Sequence, residues 1–343
     1  MLIWCIITDM KKKVTINDIA SISKVSRTTI SRYLNGKYEN MSDKTRQRIE
    51  QVITELDYRP SRQARFLKSQ NSSLIGIAVG DISNFYTSLL IKGILNRLKT
   101  TQYHSLIMDS DLSRSLEKKN IAKLIDEQVD GMIIQPIGAT SEEYKQIKEA
   151  FPVVQIDRFV EPLIWPAVAS DNFEKSKELT ELIIEKGYQR IIVVSPPVIH
   201  STPRIARYEG LIEAITNTDV EIKEIIAPEA KNLDVNDNYW EAITEMLNDD
   251  IKTAIYTFNG PLLYGCLKFL KEKKLRIPQD IGLVGYDDES FGEVMGPGIT
   301  AIEQNLVEIG FQAMDRLLEA IENKTSKLEI TTIESKLIKR NSL

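Results

Sequence analysis

The chain of 343 residues has very little cysteine and histidine. Its two cysteines are Cys5 and Cys266, and its two histidines are His104 and His200. These residues are too few and too far apart for a disulfide framework or a zinc-type set of ligands. The sequence therefore predicts no metal site and a protein that works in the reducing cytoplasm.

Long apolar runs are also missing, since no segment approaches the ~20 apolar residues that span a membrane. Residues 1–9 are apolar, but they lack the basic start and the small-residue cleavage site of a signal peptide. We interpret them as a loose extension or a mis-assigned translation start, and we expect residues 1–13 to be disordered. No membrane partner is predicted.

Motifs that assemble catalytic groups are missing too. The chain has no glycine-rich phosphate loop ending in Lys-Ser or Lys-Thr, no Gly-x-Ser-x-Gly turn and no His-Glu-x-x-His helix. Asp287 and Asp288 form the best carboxylate pair available, but adjacent residues on a loop point apart. We therefore expect no catalytic residue, no cofactor and no enzymatic activity.

Positive charge is concentrated near one end of this chain, whose formal net charge is −5. Residues 11–70 contain 14 Lys and Arg against 6 Asp and Glu, whereas residues 71–343 contain 30 against 42. A basic head on an acidic body confines the attraction for nucleic-acid phosphates to the head.

Residues 14–35 of the basic head predict two short helices joined by a tight turn. Thr15 and Ser26 stand at N-cap positions, and Asp18 completes a capping-box pattern with Thr15. Apolar residues at helical spacing give both helices an inner face, and Asn35-Gly36 ends the second helix. The outer face of the second helix carries basic and hydroxyl side chains, namely Arg27, Thr28, Thr29, Ser31 and Arg32.

Such an outer face suits the DNA major groove, where Arg pairs with guanine edges and Thr contacts thymine methyl groups. An ordinary solvated helical hairpin is the alternative. A third helix follows Ser42, and its apolar residues Ile49, Val52, Ile53 and Leu56 recur at helical spacing. Three helices can close a small core, which favours the DNA-binding interpretation.

The head resembles that of the lactose-repressor (LacI/GalR) family of transcription factors. The motifs VTINDIA, VSRTTISRYLNG, SDKTR, YRP and ARFL follow one another in that family's order and spacing within residues 14–67, and weaker resemblance continues to Arg340. The resemblance implies a repressor of carbohydrate-uptake or catabolism genes. It also implies a helix-turn-helix domain at 14–59, a hinge helix and linker at 60–70, and an effector-binding and dimerisation domain at 71–343.

The resemblance further implies how the head meets DNA. Two subunits of a homodimer would place their second helices in successive major grooves of a near-palindromic operator. Arg27, Thr28 and Arg32 would read base edges, while Ala64 and Leu67 of the hinge would enter the minor groove, Leu67 as a wedge. Hydroxyl and amide side chains would contact phosphates, namely Thr15, Ser26, Ser31 and Asn35.

From Leu74 onward, short apolar runs alternate with amphipathic helical stretches. The runs lie at 74–79, 105–108, 131–134, 153–156, 190–194, 253–256 and 281–285. Continuous apolar strands separated by helices indicate parallel sheets covered on both faces, and there are too many units for one sheet. The predicted fold is an all-α helix-turn-helix head plus an α/β body of two parallel-sheet lobes. The resemblance implies that this body is like a type I periplasmic binding protein, with crossovers near 166, 300 and 330.

Ligands of open parallel sheets bind beyond the carboxyl ends of the strands. Residues near those ends are therefore predicted to line a cleft for a small polar ligand such as a sugar; they are Phe85, Tyr86, Asp157, Arg158, Arg207, Asn259 and Asp287. Each has a structural alternative: the aspartates could cap helices, Arg207 could form a surface ion pair, and the aromatic residues could lie in the core. The resemblance implies effector contacts for the aspartates, Arg207 and Asn259.

One position departs from the family pattern. Relatives often carry Asn-Asp after the corresponding strand, whereas this chain has Asn259-Gly260. Loss of that carboxylate, with Arg158 and Arg207 retained, favours an anionic ligand such as a sugar acid or a sugar phosphate over a neutral sugar.

The alternative function is that of a solute-binding protein, which would use the same two-lobe body for transport or sensing. Such a protein has no use for residues 14–68, whereas a ligand-gated transcription factor uses every part. Whether the ligand induces or co-represses stays open at this point. Only three residues follow the last Lys-Arg pair, too few for a heptad helix, so we predict a dimer and not a tetramer.

Overall fold

The computed structural model describes residues 14–34, 36–39, 41–58, 71–147, 150–229, 238–247, 250–287, 291–323 and 327–343. The chain divides into two compact units between Ser72 and Ser73. We call them the head and the body and describe each separately. The predicted extension at 1–13, the hinge at 60–70 and the site residues Asn35, Ala64 and Leu67 lie outside the described residues.

The described residues of the head form three helices, α1 (Ile16–Ile22), α2 (Arg27–Leu34) and α3 (Asp43–Glu55). Their inner faces meet in a small core around Ile19, Ile30 and Ile49, none of which is exposed. The predicted caps are confirmed, because Thr15 and Asp18 form a capping box and the Ser42 hydroxyl accepts a bond from the amide of Thr45. Local capping thus defines helix starts in a unit too small to rely on burial alone.

The body consists of two α/β lobes. Lobe 1 is built from β1 (Leu74–Val79), α4 (Phe85–Leu98), β2 (His104–Asp109), α5 (Arg114–Asp126), β3 (Gly131–Ile134), β4 (Val153–Ile156), β5 (Ala167–Ser170), α11 (Leu306–Asn323) and β11 (Ile330–Ile333). A 3₁₀ helix at Ser141–Ile147 follows β3. Its sheet is entirely parallel, with the strand order β11-β5-β4-β3-β1-β2.

Lobe 2 is built from α6 (Asn172–Glu185), β6 (Arg190–Ser195), α7 (Thr202–Ile215), β7 (Glu221–Ile226), α8 (Asn238–Met246), β8 (Thr253–Thr257), α9 (Gly260–Glu272), β9 (Gly282–Tyr286), α10 (Phe291–Val294), β10 (Thr300–Glu303) and β12 (Lys336–Ile338). Its strand order is β12-β10-β9-β8-β6-β7, and among these described strands only the β10–β12 pair is antiparallel. The predicted fold class, a helical head plus a body of two parallel-sheet lobes, is confirmed.

The lobes repeat one arrangement of strands, since each returning edge strand, β11 or β12, occupies the same place in its sheet. In each lobe, the helix after the first strand packs tightly on the helix with which the chain enters that lobe after a crossover. These pairs are α4 on α11 in lobe 1 and α7 on α6 in lobe 2. A Cβ on Gly93 would overlap the carbonyl oxygen of Val307, and one on Gly210 would overlap that of Phe173. Glycine at these two positions therefore permits the close contact of the helix pairs.

The chain passes between lobes three times, between β5 and α6, between β10 and α11, and between β11 and β12. These crossovers lie near residues 171, 304 and 334, about four residues beyond the expected positions. The expectation placed each crossover before a strand that the sequence pattern had not revealed. Among the helices of the described residues, none has the length and apolar character needed to cross a membrane.

Candidate functional site

The outer face of α2 in the head carries the side chains predicted to read bases. Arg27, Thr28 and Arg32 are exposed, whereas Ile30 on the opposite face is fully buried. Thr29 and Ser31 are half-buried at the border between the two faces. The guanidinium groups of Arg27 and Arg32 are therefore available to a partner, while Ile30 on the opposite face packs in the core of the head.

Two of the residues predicted to contact phosphates also cap helices. The Thr15 hydroxyl donates to Oδ2 of Asp18 at 2.7 Å, and the Ser26 hydroxyl accepts from the amide of Thr29 at 3.1 Å. Both residues are exposed at helix starts, where backbone N–H groups and the positive end of the helix dipole favour a phosphate. Their DNA contacts stay a prediction.

The body contains a cavity of about 350 Å³ at the carboxyl ends of its strands. Both lobes line it, and all seven predicted ligand residues are among the lining side chains, namely Phe85, Tyr86, Asp157, Arg158, Arg207, Asn259 and Asp287. The structure therefore brings together residues spread over about 200 positions of sequence. Their contact with a ligand stays a prediction.

Asp157 of lobe 1 directly follows β4 and has a left-handed backbone with φ of 65°. Its carboxylate accepts hydrogen bonds from the Tyr86 hydroxyl at 2.7 Å and from Nε2 of Gln135 at 2.8 Å. Burial, together with the neighbouring Asp157 charge, raises the pKa of Tyr86 well above its usual value. The tyrosine thus stays protonated and acts as a fixed donor.

Asp287 occupies the matching position after β9 in lobe 2, with φ of 73°. It accepts bonds from Nε2 of Gln304 and from the amide of Gly260, the latter at 3.4 Å. Burial raises the pKa of Asp287, and the nearby Arg207 charge opposes that rise. The alternative that Asp157 caps a following helix is wrong, because the next element after Asp157 is β5. The residues between Asp287 and α10 lie outside the described part of the chain, so that alternative stays untested for Asp287. The N-cap of α9 is Asn259, whose Oδ1 accepts from Leu262 N at 2.9 Å.

Arg207 lies on α7 with only 4% of its surface exposed, so the alternative of a surface ion pair is wrong. Its Nε donates to Asn172 at 2.8 Å, its Nη1 donates to the carbonyl of Phe258, and its guanidinium lies 3.6 Å from the centre of the Tyr286 ring. Burial lowers the pKa of Arg207, but the surrounding negative charge, that of Asp287 first, outweighs burial and raises it. Arg207 is therefore always charged and is part of the core of lobe 2.

The aromatic residues differ in position, since Tyr86 is buried and 49% of Phe85 is exposed at the cavity wall. Arg158 is half-buried, and its Nε lies 3.7 Å from Oδ2 of Asp157, a loose ion pair. A guanidinium with such a distant counter-ion can still donate to a ligand. The cavity thus combines an apolar wall with charged and amide groups, as sites for small polar ligands do.

Several cavity residues were missed by the sequence reasoning. Gln135 lines the cavity and directly follows β3, so the rule that identified the aspartates would have found it. Gln304 directly follows β10, a strand that the sequence pattern had not revealed. Gln304 contacts Tyr86 and Ser170 of lobe 1 as well as Asp287 of lobe 2. It therefore connects the two buried carboxylates across the crossover.

Arg204 was also missed, although it stands one helical turn before Arg207 on the same face of α7. It is 5% exposed, and burial lowers its pKa. Its Nη2 lies 2.5 Å from Oε1 of Glu229, and both residues line the cavity. In the part of the chain that the structure describes, no group of three His, Cys, Asp or Glu could hold a metal ion.

Comparisons with known proteins agree with this architecture. Residues 15–61 match the family of bacterial regulatory proteins called the lacI family, and residues 180–343 match the periplasmic binding protein-like domain. The HTH-type transcriptional regulator KdgR of Bacillus subtilis is 32% identical over 351 residues, covering 97% of this chain and 100% of that protein. The ribose operon repressor of Halalkalibacterium halodurans is 30% identical over 328 residues, covering 96% of each.

Among solved structures, the lac repressor dimer bound to operator and the anti-inducer ONPF is similar in fold. The TM-score is 0.81 at 24% sequence identity, and the alignment covers 96% of this chain and 99% of that one. At this identity the similarity concerns the fold, head and body included.

Proposed function

Because this chain belongs to the lacI family of bacterial regulatory proteins, we propose that a ligand bound in the body cavity sets its affinity for operator DNA. The family makes the chain a DNA-binding transcriptional regulator and not an enzyme. We assign it the role of a repressor of carbohydrate-uptake or catabolism genes, acting in the cytoplasm. The observation that carries the ligand part is the single cavity wall shared by Asp157 of lobe 1 and Arg207 and Asp287 of lobe 2.

The DNA-binding part rests on the exposed face of α2. We propose that Arg27, Thr28 and Arg32 of each subunit of a homodimer read base edges in the major groove. Thr15 and Ser26 would contact phosphates from helix starts. We keep the domain assignment of 14–59 for DNA binding, 60–70 for the hinge and 71–343 for effector binding and dimerisation.

The ligand part rests on the chemistry of the cavity. Carboxylates, amides and guanidinium groups that point into one space can pair the hydroxyls of a carbohydrate, while Phe85 covers an apolar face. Arg158 is only loosely paired with Asp157, so its guanidinium can donate hydrogen bonds to a ligand carboxylate or phosphate. We therefore favour a sugar acid or a sugar phosphate over a neutral sugar.

The coupling between cavity and DNA follows from the three crossovers. A ligand that contacts both lobes binds one lobe angle better than another, and only that difference in affinity can shift the equilibrium of the protein. Typical coupling free energies are about 1–3 kcal/mol. A solute-binding protein would share the body, but the matched helix-turn-helix family at residues 15–61 favours the regulator.

A thermal-shift screen of neutral sugars, sugar acids and sugar phosphates tests this proposal, since a specific ligand raises the melting temperature by mass action. The compounds that stabilise the protein are then added to its complex with operator DNA selected from random duplexes. We expect at least one sugar acid or sugar phosphate to stabilise the protein and to change its operator affinity. A panel without any stabilising carbohydrate would contradict the proposed ligand class.

A further inference from the structure

We propose that Glu229 is an exchangeable counter-ion of Arg204, and that an anionic group entering the cavity displaces it and takes its place on the guanidinium. This inference rests on the proposed function, because it concerns the same ligand cavity. It adds an anion contact to the cavity, separate from Arg158 and Arg207, and gives Glu229 the role of a competitor for the ligand.

Arg204 is fixed in position, while one of its partners is replaceable. Its Nη1 donates to the carbonyl of Pro197 at 2.9 Å, a backbone contact that a ligand cannot replace without moving the loop. Its Nη2 donates to Oε1 of Glu229 at 2.5 Å, a side-chain contact that rotation about the glutamate's own bonds can break. The guanidinium therefore remains aimed into the cavity when the carboxylate leaves.

Among the described carboxylates of the cavity wall, that of Glu229 is the most exposed and can turn into solvent. Asp81, Asp157 and Asp287 are each 9% exposed or less, whereas 40% of the Glu229 side chain is exposed. The buried aspartates also hold backbone amides or neutral side chains within the lobes. Among the described residues, the only ion pair of Glu229 is the one with Arg204.

The charge balance of the described cavity residues favours such an exchange if the ligand is anionic. Among the described residues that line the cavity, three carry guanidinium groups, namely Arg158, Arg204 and Arg207, and four carry carboxylates, namely Asp81, Asp157, Glu229 and Asp287. An added anion would meet an excess of negative charge. When Glu229 rotates into solvent, the balance returns to three against three, and an incoming carboxylate or phosphate finds an oriented and desolvated donor.

A second ion pair in lobe 2 shows what the same chemistry looks like away from the cavity. Arg190 is also 5% exposed; its Nη1 donates to a backbone carbonyl, that of Met246, at 2.6 Å, and its Nε lies 2.6 Å from Glu221. Glu221, however, is also paired with Lys223 at 2.5 Å, and it does not line the cavity. Arg190 and Glu221 are the first residues of β6 and β7. They lie at the amino ends of the strands, away from the cavity at the carboxyl ends, and so provide a matched control.

The experiment measures binding of inorganic phosphate to the full chain, without DNA, by titration calorimetry at constant ionic strength. Glu229→Gln removes the competing charge, so phosphate should bind about ten-fold tighter than to the wild-type protein, the order contributed by one hydrogen bond to a charged group. Arg204→Met should remove most of the binding, and Arg204→Lys should restore only part of it because the planar fork is lost. Glu221→Gln should bind phosphate as the wild type does.

Two results would overturn the inference. In the first, Glu229→Gln binds phosphate no better than the wild type, which would show that the Glu229 carboxylate does not compete with phosphate for Arg204. In the second, no form of the protein binds phosphate. Because Glu229→Gln is expected to gain affinity, misfolding cannot imitate the predicted result.

A parallel carbohydrate screen separates this inference from the proposed function. A carbohydrate that changes operator affinity equally in wild type and Glu229→Gln, without phosphate binding, would overturn the exchange and leave the function standing. The expected phosphate pattern without any carbohydrate response would support the exchange and contradict the function.

Discussion

The arginines of the head and those of the body lie in opposite surroundings. Arg27 and Arg32 are exposed on α2, whereas Arg204 and Arg207 on α7 are about 95% buried and donate to backbone carbonyls. An exposed guanidinium is hydrated and can pair with a guanine edge without altering the fold. A buried one must always have a hydrogen-bonded partner, whether from the protein or from a ligand, because an unpaired buried charge costs several kcal/mol.

In the head, the arginines proposed to bind DNA therefore do not stabilise the fold. In the body, the arginines that line the ligand cavity also stabilise the fold. A substitution at Arg27 should change DNA binding alone, while one at Arg207 should change ligand binding and folding together. The first comparison to test is therefore the effect of each arginine on the free energy of unfolding.

Arg207→Ala should have the largest effect, because it removes the charge that faces buried Asp287 and leaves the carbonyl of Phe258 without its donor. We expect a loss of about 3–5 kcal/mol in the free energy of unfolding, measured by urea denaturation without ligand. Arg316→Ala on the surface of α11, where Arg316 lies 3.3 Å from Glu329, should change it by less than about 1 kcal/mol. Equal stabilities of the two variants would remove the distinction between buried and exposed arginines.

Arg27→Ala and Arg32→Ala should come next. Each should weaken binding to the selected operator by about 1–3 kcal/mol, the value of a lost bidentate guanine contact, while the melting temperature stays unchanged. Fluorescence anisotropy with operator and random duplexes measures both effects. Equal losses on the two DNAs would show that these arginines contact phosphates only.

Thr15→Ala and Ser42→Ala test whether helix capping stabilises the head, whose exposed arginines should not. Each removes an N-cap and should lower the stability of the head by about 1 kcal/mol. Only Thr15→Ala should also weaken binding to operator and random DNA alike, because Thr15 is assigned to a phosphate and Ser42 is not. A specific loss of operator affinity in Ser42→Ala would contradict the assignment.

Glu117→Gln should have the smallest effect, confined to its pH dependence. Burial raises the pKa of Glu117, which accepts from the Tyr144 hydroxyl at 2.8 Å and from Ile137 N at 2.9 Å. A raised pKa in the folded state means that the favourable contribution is fully present below the pKa of the unfolded chain and is lost as the pH rises through that of the folded one. The stability of Glu117→Gln relative to wild type should therefore increase from acid to neutral pH. If the melting temperatures of the two proteins change in parallel with pH, the pKa of Glu117 is not raised by folding.

Much of the fold could be predicted from the sequence, because continuous apolar runs identify the central strands regardless of their partners. Edge strand β7 was missed, since Glu221, Lys223 and Glu224 break the apolar pattern on its half-exposed faces. Helix α7 begins at Thr202 instead of near residue 205, because Pro203 fits the first turn of a helix. The repeated strand order of the two lobes leaves no visible repeat in the sequence, since a topology constrains burial and not residue identity.

Seven members of the candidate site could be predicted from the sequence, but other members and the contacts among them could not. The positions after parallel strands brought the aspartates and Asn259 to the cavity, as expected. The contacts of Arg207 with Asn172, Phe258 and Tyr286 join residues from four segments, and no local pattern reports them. Burial of Arg204 and its pairing with Glu229 likewise depend on the packing of α7 against the end of β7.

Reciprocal binding measurements show whether ligand binding in the cavity and operator binding by the head are energetically coupled. Operator affinity is measured with and without the carbohydrate that stabilises the protein most, and affinity for that carbohydrate is measured with and without operator. Both affinities should change by the same factor, roughly 5- to 150-fold for a coupling free energy of about 1–3 kcal/mol. Ligand binding that leaves operator affinity unchanged would contradict this coupling.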